Sequence, residues 1–317
     1  MNFFYRINMQ EGLVVKSTGN FYKVKNNENK IFSCKVRGKL KHTGIKSTNP
    51  VAVGDIVTFS MNKFDDVGLI NEIKERKNYI IRKATNLSKQ THIIAANVDQ
   101  VLLVISVKNP VCSLMFIDRF LITAEAFDIP AVLIINKVDL IRSEENKMLQ
   151  EYIDIYKLAG YSHLEVSALT GYNIEKLAEI MRNKTSVITG NSGVGKSSII
   201  NRIDPALKLK VKDISDSHQT GKHATTYAEM FPLKFGGYII DTPGIKSFGL
   251  PNFDKNELFH FFPEIFNYSK NCKFYNCTHI HEPDCYVIKM VEEGLIAYSR
   301  YRNYVYIFND EESKYRL

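Results

Sequence analysis

Apolar and polar positions alternate in short runs over the first 80 residues. Leu13-Val14-Val15 and residues 20–24, 30–36 and 55–59 each predict a strand. Gly19-Asn20, Asn26-Asn27 and Val53-Gly54-Asp55 supply turn residues between them. Several short strands in so little chain predict a small all-β barrel of OB-fold size; spacing alone does not separate it from an SH3-like barrel. Further on the pattern lengthens. Residues 99–106 form an apolar run of strand length, 114–127 show helical spacing, and 130–135 read as a second buried strand. Residues 164–168, 185–189 and 237–240 predict strands, 174–181 a helix, and 198–203 the start of another. Alternating strands and helices predict a parallel sheet with helices on both faces. Helical spacing returns after Gly294.

Composition changes this picture in three ways. No apolar run approaches bilayer length, and residues 1–10 lack the sustained apolar core of a secretory signal. Met9 is a second candidate start, because the strand pattern begins after it. Net charge is +8, and residues 1–80 carry 14 Lys and Arg against 7 Asp and Glu. A basic balance concentrated in one module points to a polyanionic partner, with Lys35, Arg37, Lys39, Lys41 and Lys46 as a cationic edge for a nucleic-acid backbone. Of the five cysteines, three crowd near a histidine, which suggests metal binding in a reducing cytoplasm. Cys34 and Cys112 read as core residues.

Gly190-Asn191-Ser192-Gly193-Val194-Gly195-Lys196-Ser197-Ser198 is a P-loop, G-x-x-x-x-G-K-[ST], between a predicted strand and a predicted helix. Its backbone N–H groups can cradle phosphates at a helix N-terminus, Lys196 can reach the outer phosphates, and the Ser197 hydroxyl can ligate Mg²⁺. Asn136-Lys137-Val138-Asp139 ends the strand at 130–135. The Asp139 carboxylate can accept from guanine N1–H and its exocyclic amine, where adenine offers an acceptor and no amine, so a buried, unpaired carboxylate penalises the wrong base. Ser167-Ala168 ends a further strand, and the Ala168 N–H can donate to guanine O6. Residues 218–226 form a polar, hydroxyl-rich stretch suited to closing on a γ-phosphate and its metal. Thr225 is the first choice for the Mg²⁺-ligating hydroxyl and Thr226 the second. Asp241-Thr242-Pro243-Gly244 is a D-x-x-G: Asp241 would hold Mg²⁺ through water and the Gly244 N–H would sense the γ-phosphate. Ile245 and Lys246 follow, and neither side chain can orient an attacking water. Slow unaided hydrolysis is therefore expected, with His223 or a partner completing the site. The order N-K-x-D, S-A, P-loop, D-x-x-G is a circular permutation of the usual GTPase order, with the cut after the D-x-x-G strand.

Cys272-x4-Cys277-x-His279-x5-Cys285 offers three thiolates and an imidazole, the donor set of a closed, structural Zn²⁺ site; by reach alone His281 rivals His279. The tail that follows, with Arg300, Tyr301, Arg302, Tyr304 and Tyr306, can cap this knot or stack on RNA bases.

Taken together, these motifs resemble the RsgA (YjeQ/YloQ) GTPases, the bacterial small ribosomal subunit biogenesis GTPases. The resemblance rests on N-K-x-D, S-A, G-N-S-G-V-G-K-S, G-K-H-A-T-T, D-T-P-G-I-K-S-F-G-L and the cysteine knot with Glu282-Pro283 inside it, and it covers nearly the whole chain. It implies an N-terminal OB-fold over 1–80, a central α/β circularly permuted P-loop GTPase over 81–250 and a mainly helical zinc-binding region over 251–317. It implies GTP/GDP, Mg²⁺ and one Zn²⁺, and it selects His279 over His281. It further implies a cytoplasmic monomer that binds the small ribosomal subunit and its rRNA late in maturation, hydrolyses GTP faster on that subunit, and is then released. One departure is Ala224, where the family pattern G-[RK]-H-T-T has its first Thr; this places the weight on Thr225. Two function classes follow: a subunit-activated GTPase, or an RNA-binding checkpoint in which GTP only sets affinity.

Overall fold

The computed structural model describes residues 9–36, 50–61, 66–83, 91–207, 228–241 and 254–309. The strands are β1 (Met9–Ser17), β2 (Tyr22–Asn26), β3 (Ile31–Val36), β4 (Ile56–Ser60), β5 (Val67–Ile73), β6 (Tyr79–Lys83), β7 (Thr91–Ala96) and β8 (Gln100–Ile105). After them come β9 (Ala131–Ile135), β10 (Ser162–Glu165), β11 (Thr185–Thr189), β12 (Glu229–Pro232) and β13 (Tyr238–Asp241). The helices are α1 (Leu114–Ala126), α2 (Ser143–Leu158), α3 (Ile174–Met181), α4 (Lys196–Ile203), α5 (Pro263–Ser269), α6 (Tyr286–Glu292) and α7 (Tyr298–Asn309). These residues divide into two compact units. One takes the described residues up to Asp99 with 181–187 and 228–241; the other takes Gln100–Ile180, 188–207 and 254–309.

In the first unit, alternate side chains of the early strands turn inward and form one core of Val14, Tyr22, Val24, Val57, Phe59 and Ile70 with their neighbours. The pairing runs β1-β2-β3-β5-β4, and β4 closes back on β1. All of these pairs are antiparallel except β3–β5. The result is a closed five-stranded barrel with the Greek-key route of an OB-fold. Asp55, fully buried, accepts Arg76 Nε and Nη2 at 2.6 Å each and the Ala52 N–H at 2.8 Å, so its charge is matched inside the barrel wall. Cys34 is fully buried, and burial pushes its thiol up to about 11, which leaves it an inert core residue. Lys35 Nζ lies 4.7 Å from the centre of the Phe21 ring. The other members of the expected cationic edge, Arg37, Lys39, Lys41 and Lys46, lie outside the described residues. The barrel is joined to a second ladder: β1 pairs with β12 at Lys16↔Glu229, where Lys16 Nζ meets Glu229 Oε2 at 2.7 Å. β12 pairs antiparallel with β13, and β13 parallel with the start of β11.

In the second unit β8, β9 and β10 form a parallel ladder. β8 is buried at every position, as expected for a continuous apolar run covered on both faces. The Ser113 hydroxyl caps α1 by accepting the Phe116 N–H at 3.2 Å. The expected strand over 164–168 ends instead at Glu165. The reason is local: the Ser167 carbonyl and hydroxyl accept the N–H groups of Gly171 and Thr170, which turns the chain out of the ladder.

The C-terminal helices share a core with α1, in which Ile122 packs with Leu258, Phe262, Ile265, Met290 and Tyr304. Within that core lies a buried ion cluster. Arg300, 1% exposed, donates from Nε and Nη2 to Glu264 at 2.7 and 3.1 Å and from Nη1 to Asp118 at 2.8 Å. Asp118 also accepts Asn303 Nδ2 at 2.6 Å and the Tyr156 hydroxyl at 3.0 Å. Burial opposes the guanidinium charge, but the Glu264 and Asp118 carboxylates outweigh it and hold Arg300 well above its ordinary pKa. This one side chain therefore ties α7 to both α5 and α1. No helix among the described residues is long and apolar enough to cross a membrane.

Candidate nucleotide site and metal centre

The P-loop leaves β11 at Thr189 and enters α4 at Lys196. Two of its glycines are required by their surroundings. A Cβ on Gly190 (φ +140°) would meet the Val104 carbonyl oxygen at 2.0 Å, and one on Gly195 (φ +94°) would meet Asn136 Nδ2 at 2.3 Å. Lys196 Nζ arches over the loop and donates to the carbonyls of Gly190 and Asn191 at 2.7 Å each. Ser197 and Ser198 sit half-buried in the first turn of α4, and Val194 is fully buried beneath the loop. A phosphate over this turn would meet backbone N–H groups, the helix N-terminus and an ammonium together.

Asn136 organises the rest. It is 2% exposed at the end of β9; its Nδ2 donates to the Val194 carbonyl at 2.7 Å and its Oδ1 accepts the Ala168 N–H at 3.1 Å. Val194 offers only an acceptor and Ala168 only a donor, so the amide has one orientation. One side chain thus joins the N-K-x-D, S-A and P-loop motifs. Guanine O6 would compete with Asn136 for the Ala168 N–H. Lys137 takes a left-handed backbone (φ +67°), and its Nζ donates to the Asn109 carbonyl; burial pulls its ammonium below the usual lysine range. Val138 opens the short 3-10 turn that carries Asp139. Asp139 is exposed, not buried as its expected role suggested, and its carboxylate accepts the Ser167 hydroxyl. The base itself must therefore supply the desolvation that makes this carboxylate selective.

Asp139→Asn is expected to lower GTP affinity about ten- to a hundredfold, since two hydrogen bonds to a charged acceptor are lost or weakened. Xanthosine triphosphate, with a carbonyl in place of the amine, should gain affinity. Titration with fluorescent nucleotides reads both, and an unchanged GTP affinity would remove Asp139 from base selection.

His223, Thr225, Thr226, Gly244, Ile245 and Lys246 lie outside the described residues. The backbone of Asp241 ends β13, and its side chain lies outside them as well.

Cys272, Cys277, His279 and Cys285 converge, with their donor atoms all within 4.8 Å of one another. Cys272 Sγ and Cys285 Sγ each lie 3.6 Å from His279 Nδ1; the Cys277–Cys285 and Cys272–Cys285 sulfur distances are 3.6 and 3.9 Å. A tetrahedral ion with Zn–S bonds of about 2.3 Å has edges of about 3.8 Å, so this donor set fits Zn²⁺ and closes around it. Burial pushes the His279 imidazole down to about 4, leaving it neutral and ready to ligate. His281 is exposed and outside the group.

Behind this loop lies a clamp that no spacing in the sequence predicts. Glu282 accepts the Thr278 N–H and hydroxyl at 2.7 Å each and the N–H groups of Ile280 and His281 at 3.1 and 3.2 Å. Burial raises the Glu282 carboxyl, but the Thr278 hydrogen bonds and the other backbone bonds outweigh that and bring it down to about 2. In the sequence Glu282-Pro283 is a motif without a role; only the folded loop shows the carboxylate collecting four donors. Tyr301 and Tyr304 donate their hydroxyls to the carbonyls of His279 and Thr278 at 2.8 and 2.6 Å, so these two rings of the tail cap the knot.

A family model described as RsgA GTPase matches residues 73–251, and one described as RsgA N-terminal domain matches residues 11–70. The small ribosomal subunit biogenesis GTPase RsgA of Christiangramia forsetii is 51% identical over 309 residues, covering 97% of this chain and 98% of that protein. The crystal structure of YjeQ from Thermotoga maritima superimposes with a TM-score of 0.78 at 36% identity, over 98% of this chain and 100% of that one. That of YloQ, described as a circularly permuted GTPase, gives 0.75 at 30% identity over 100% of both chains.

Proposed function

The chain belongs to the RsgA GTPase family, and from that premise we propose that it hydrolyses GTP to GDP and phosphate as a step in small ribosomal subunit maturation. In this reading it binds the subunit and its rRNA late in assembly, the subunit stimulates hydrolysis, and hydrolysis releases the protein. Asn136 is the observation that carries the nucleotide part, because it brings three motifs from distant parts of the sequence to one place. Residues 1–80 would contact RNA, 81–250 would bind and cleave GTP, and 251–317 would form the zinc-held region. Ser197 and Thr225 would ligate Mg²⁺, with Asp241 reaching it through water and the Gly244 N–H facing the γ-phosphate. Mg²⁺ supplies charge neutralisation on the β- and γ-phosphates. Zn²⁺ supplies only structure, since four protein donors leave it no open position. The protein would act as a monomer in the cytoplasm.

The test is GTP turnover by the zinc-loaded protein, alone, with small subunits and with large subunits. Stimulation by small subunits only is the expected result; equal, slow turnover in all three would overturn the reading. Ile245 cannot orient a water, so His223→Ala is expected to reduce stimulated turnover. Unchanged turnover at saturating GTP would assign water positioning to the partner.

A further inference from the structure

The short span between Cys272 and Cys277 carries an exposed aromatic tip. Tyr275 is 100% exposed and Phe274 beside it 40%. Both ends of the span are metal ligands, and its turns are fixed by Cys272 N–H to the Ser269 carbonyl at 3.0 Å and Cys277 N–H to the Phe274 carbonyl at 3.2 Å. A ring held out on so short and pinned a loop loses little further freedom on binding, which is the economy of a preorganised contact. The tip is also cationic. Lys273 Nζ lies 5.5 Å from the Phe274 ring centre and Lys270 Nζ 5.0 Å from that of Phe266, which is itself 37% exposed. No Asp or Glu occurs from Ile265 to His281. Of the tail's tyrosines, Tyr301 and Tyr304 are already engaged by the knot's own carbonyls, and Tyr306, 57% exposed, stands on α7 away from the lysine-bearing span.

The geometry points to the tip of Lys273, Phe274 and Tyr275 as a stacking platform for an unpaired RNA base, with Lys270 and Lys273 meeting the flanking phosphates. Exposed rings beside two ammonium groups, on a stretch that carries no Asp or Glu of its own and with Glu282 turned into the knot, suit a π-face on a polyanion better than a protein surface. This inference rests on the rRNA binding proposed above and assigns part of it to one ring.

The chain contains no tryptophan, so Tyr275→Trp creates a single reporter at the tip. Its emission should be quenched on titration with deproteinised small-subunit rRNA, while a Tyr298→Trp control, at another exposed tyrosine, should change little. Tyr275→Ala, with one zinc per chain retained, should weaken binding to purified small subunits about ten- to a hundredfold, and Tyr275→Phe should bind like the parent protein. Parent-like binding by Tyr275→Ala would overturn the inference and leave the functional reading standing. A loss in Tyr275→Phe equal to that in Tyr275→Ala would replace stacking by a hydroxyl contact. Weak binding by Tyr275→Ala without quenching by rRNA would make the partner a ribosomal protein. Failure of the unmodified protein to bind small subunits at all would overturn the functional reading, and the inference with it.

Discussion

Stripping zinc is expected to unfold the helical region over 254–309 and to leave the barrel strands paired. Cys277 and Cys285 are counted among its buried residues, packed with Leu258, Phe262, Val287 and Tyr304. The loop they anchor supplies the carbonyls that Tyr301 and Tyr304 cap. Without an ion, buried thiols and a neutral imidazole face one another at 3.6–3.9 Å with nothing to bind. A structural zinc contributes on the order of 10 kcal/mol to folding, more than the net stability of a small domain. Chelation followed by hydrogen exchange should show α5, α6 and α7 losing protection together while β1–β5 keep theirs. Retained protection in α7 would mean that its packing on α1 suffices without the metal. Acidification should act in the same direction, because the ligating thiolates take up protons and release the ion.

Arg300→Met is expected to destabilise this same unit by about 3–5 kcal/mol, the usual cost of orphaning buried charge. Asp118 and Glu264, both buried, would lose their shared cation, and Glu264 would lose both guanidinium bonds. The pH dependence has a definite sign. Burial already holds the Asp118 carboxyl above its ordinary value against the opposing pull of Arg300, so losing the cation raises it further and the penalty is full at neutral pH. As pH falls through that raised value Asp118 takes up a proton, the penalty shrinks, and the variant should approach the parent protein in acid. Adding Glu264→Gln should recover part of the loss. Urea melts at pH 7 and pH 5 measure all three effects. A loss below about 1 kcal/mol at pH 7, well short of the buried-pair range, would show that water reaches the carboxylates in the variant.

Long, single-purpose runs were the most legible parts of the chain. The apolar stretch at 99–106 became β8, 185–189 became β11, and 174–181 became α3, because burial on both faces or one helical stripe leaves a clear period. The antiparallel pair β6–β7 and the short β12 leave no such mark, since few residues and mixed polarity carry no period to read. The site divides in the same way. Chemistry held in a local motif was visible: the P-loop, N-K-x-D and the cysteine spacing. Chemistry made by distant pairs was not. Asn136 bridges to Val194 and Ala168, 58 and 32 residues away, and nothing near Asn136 in sequence announces it. Arg300 was legible only as one charge in a basic tail. Its partners stand 36 and 182 residues away, so the sequence shows its sign and hides its burial.

The bond between β1 and β12 also bears on control. β12 begins shortly after Thr226, and its Glu229 is clasped by Lys16 of the barrel. The barrel is thereby fastened to the strand that follows the expected switch segment. If GTP changes the set of β12, the hold on RNA proposed for the barrel changes by some factor, and thermodynamic reciprocity then requires RNA bound there to change GTP affinity by that same factor. A half-buried ion pair and a single register match form a weak clasp, worth about 1 kcal/mol. A clasp of that size permits roughly fivefold coupling, enough to bias the order of binding and release and too little to lock either state.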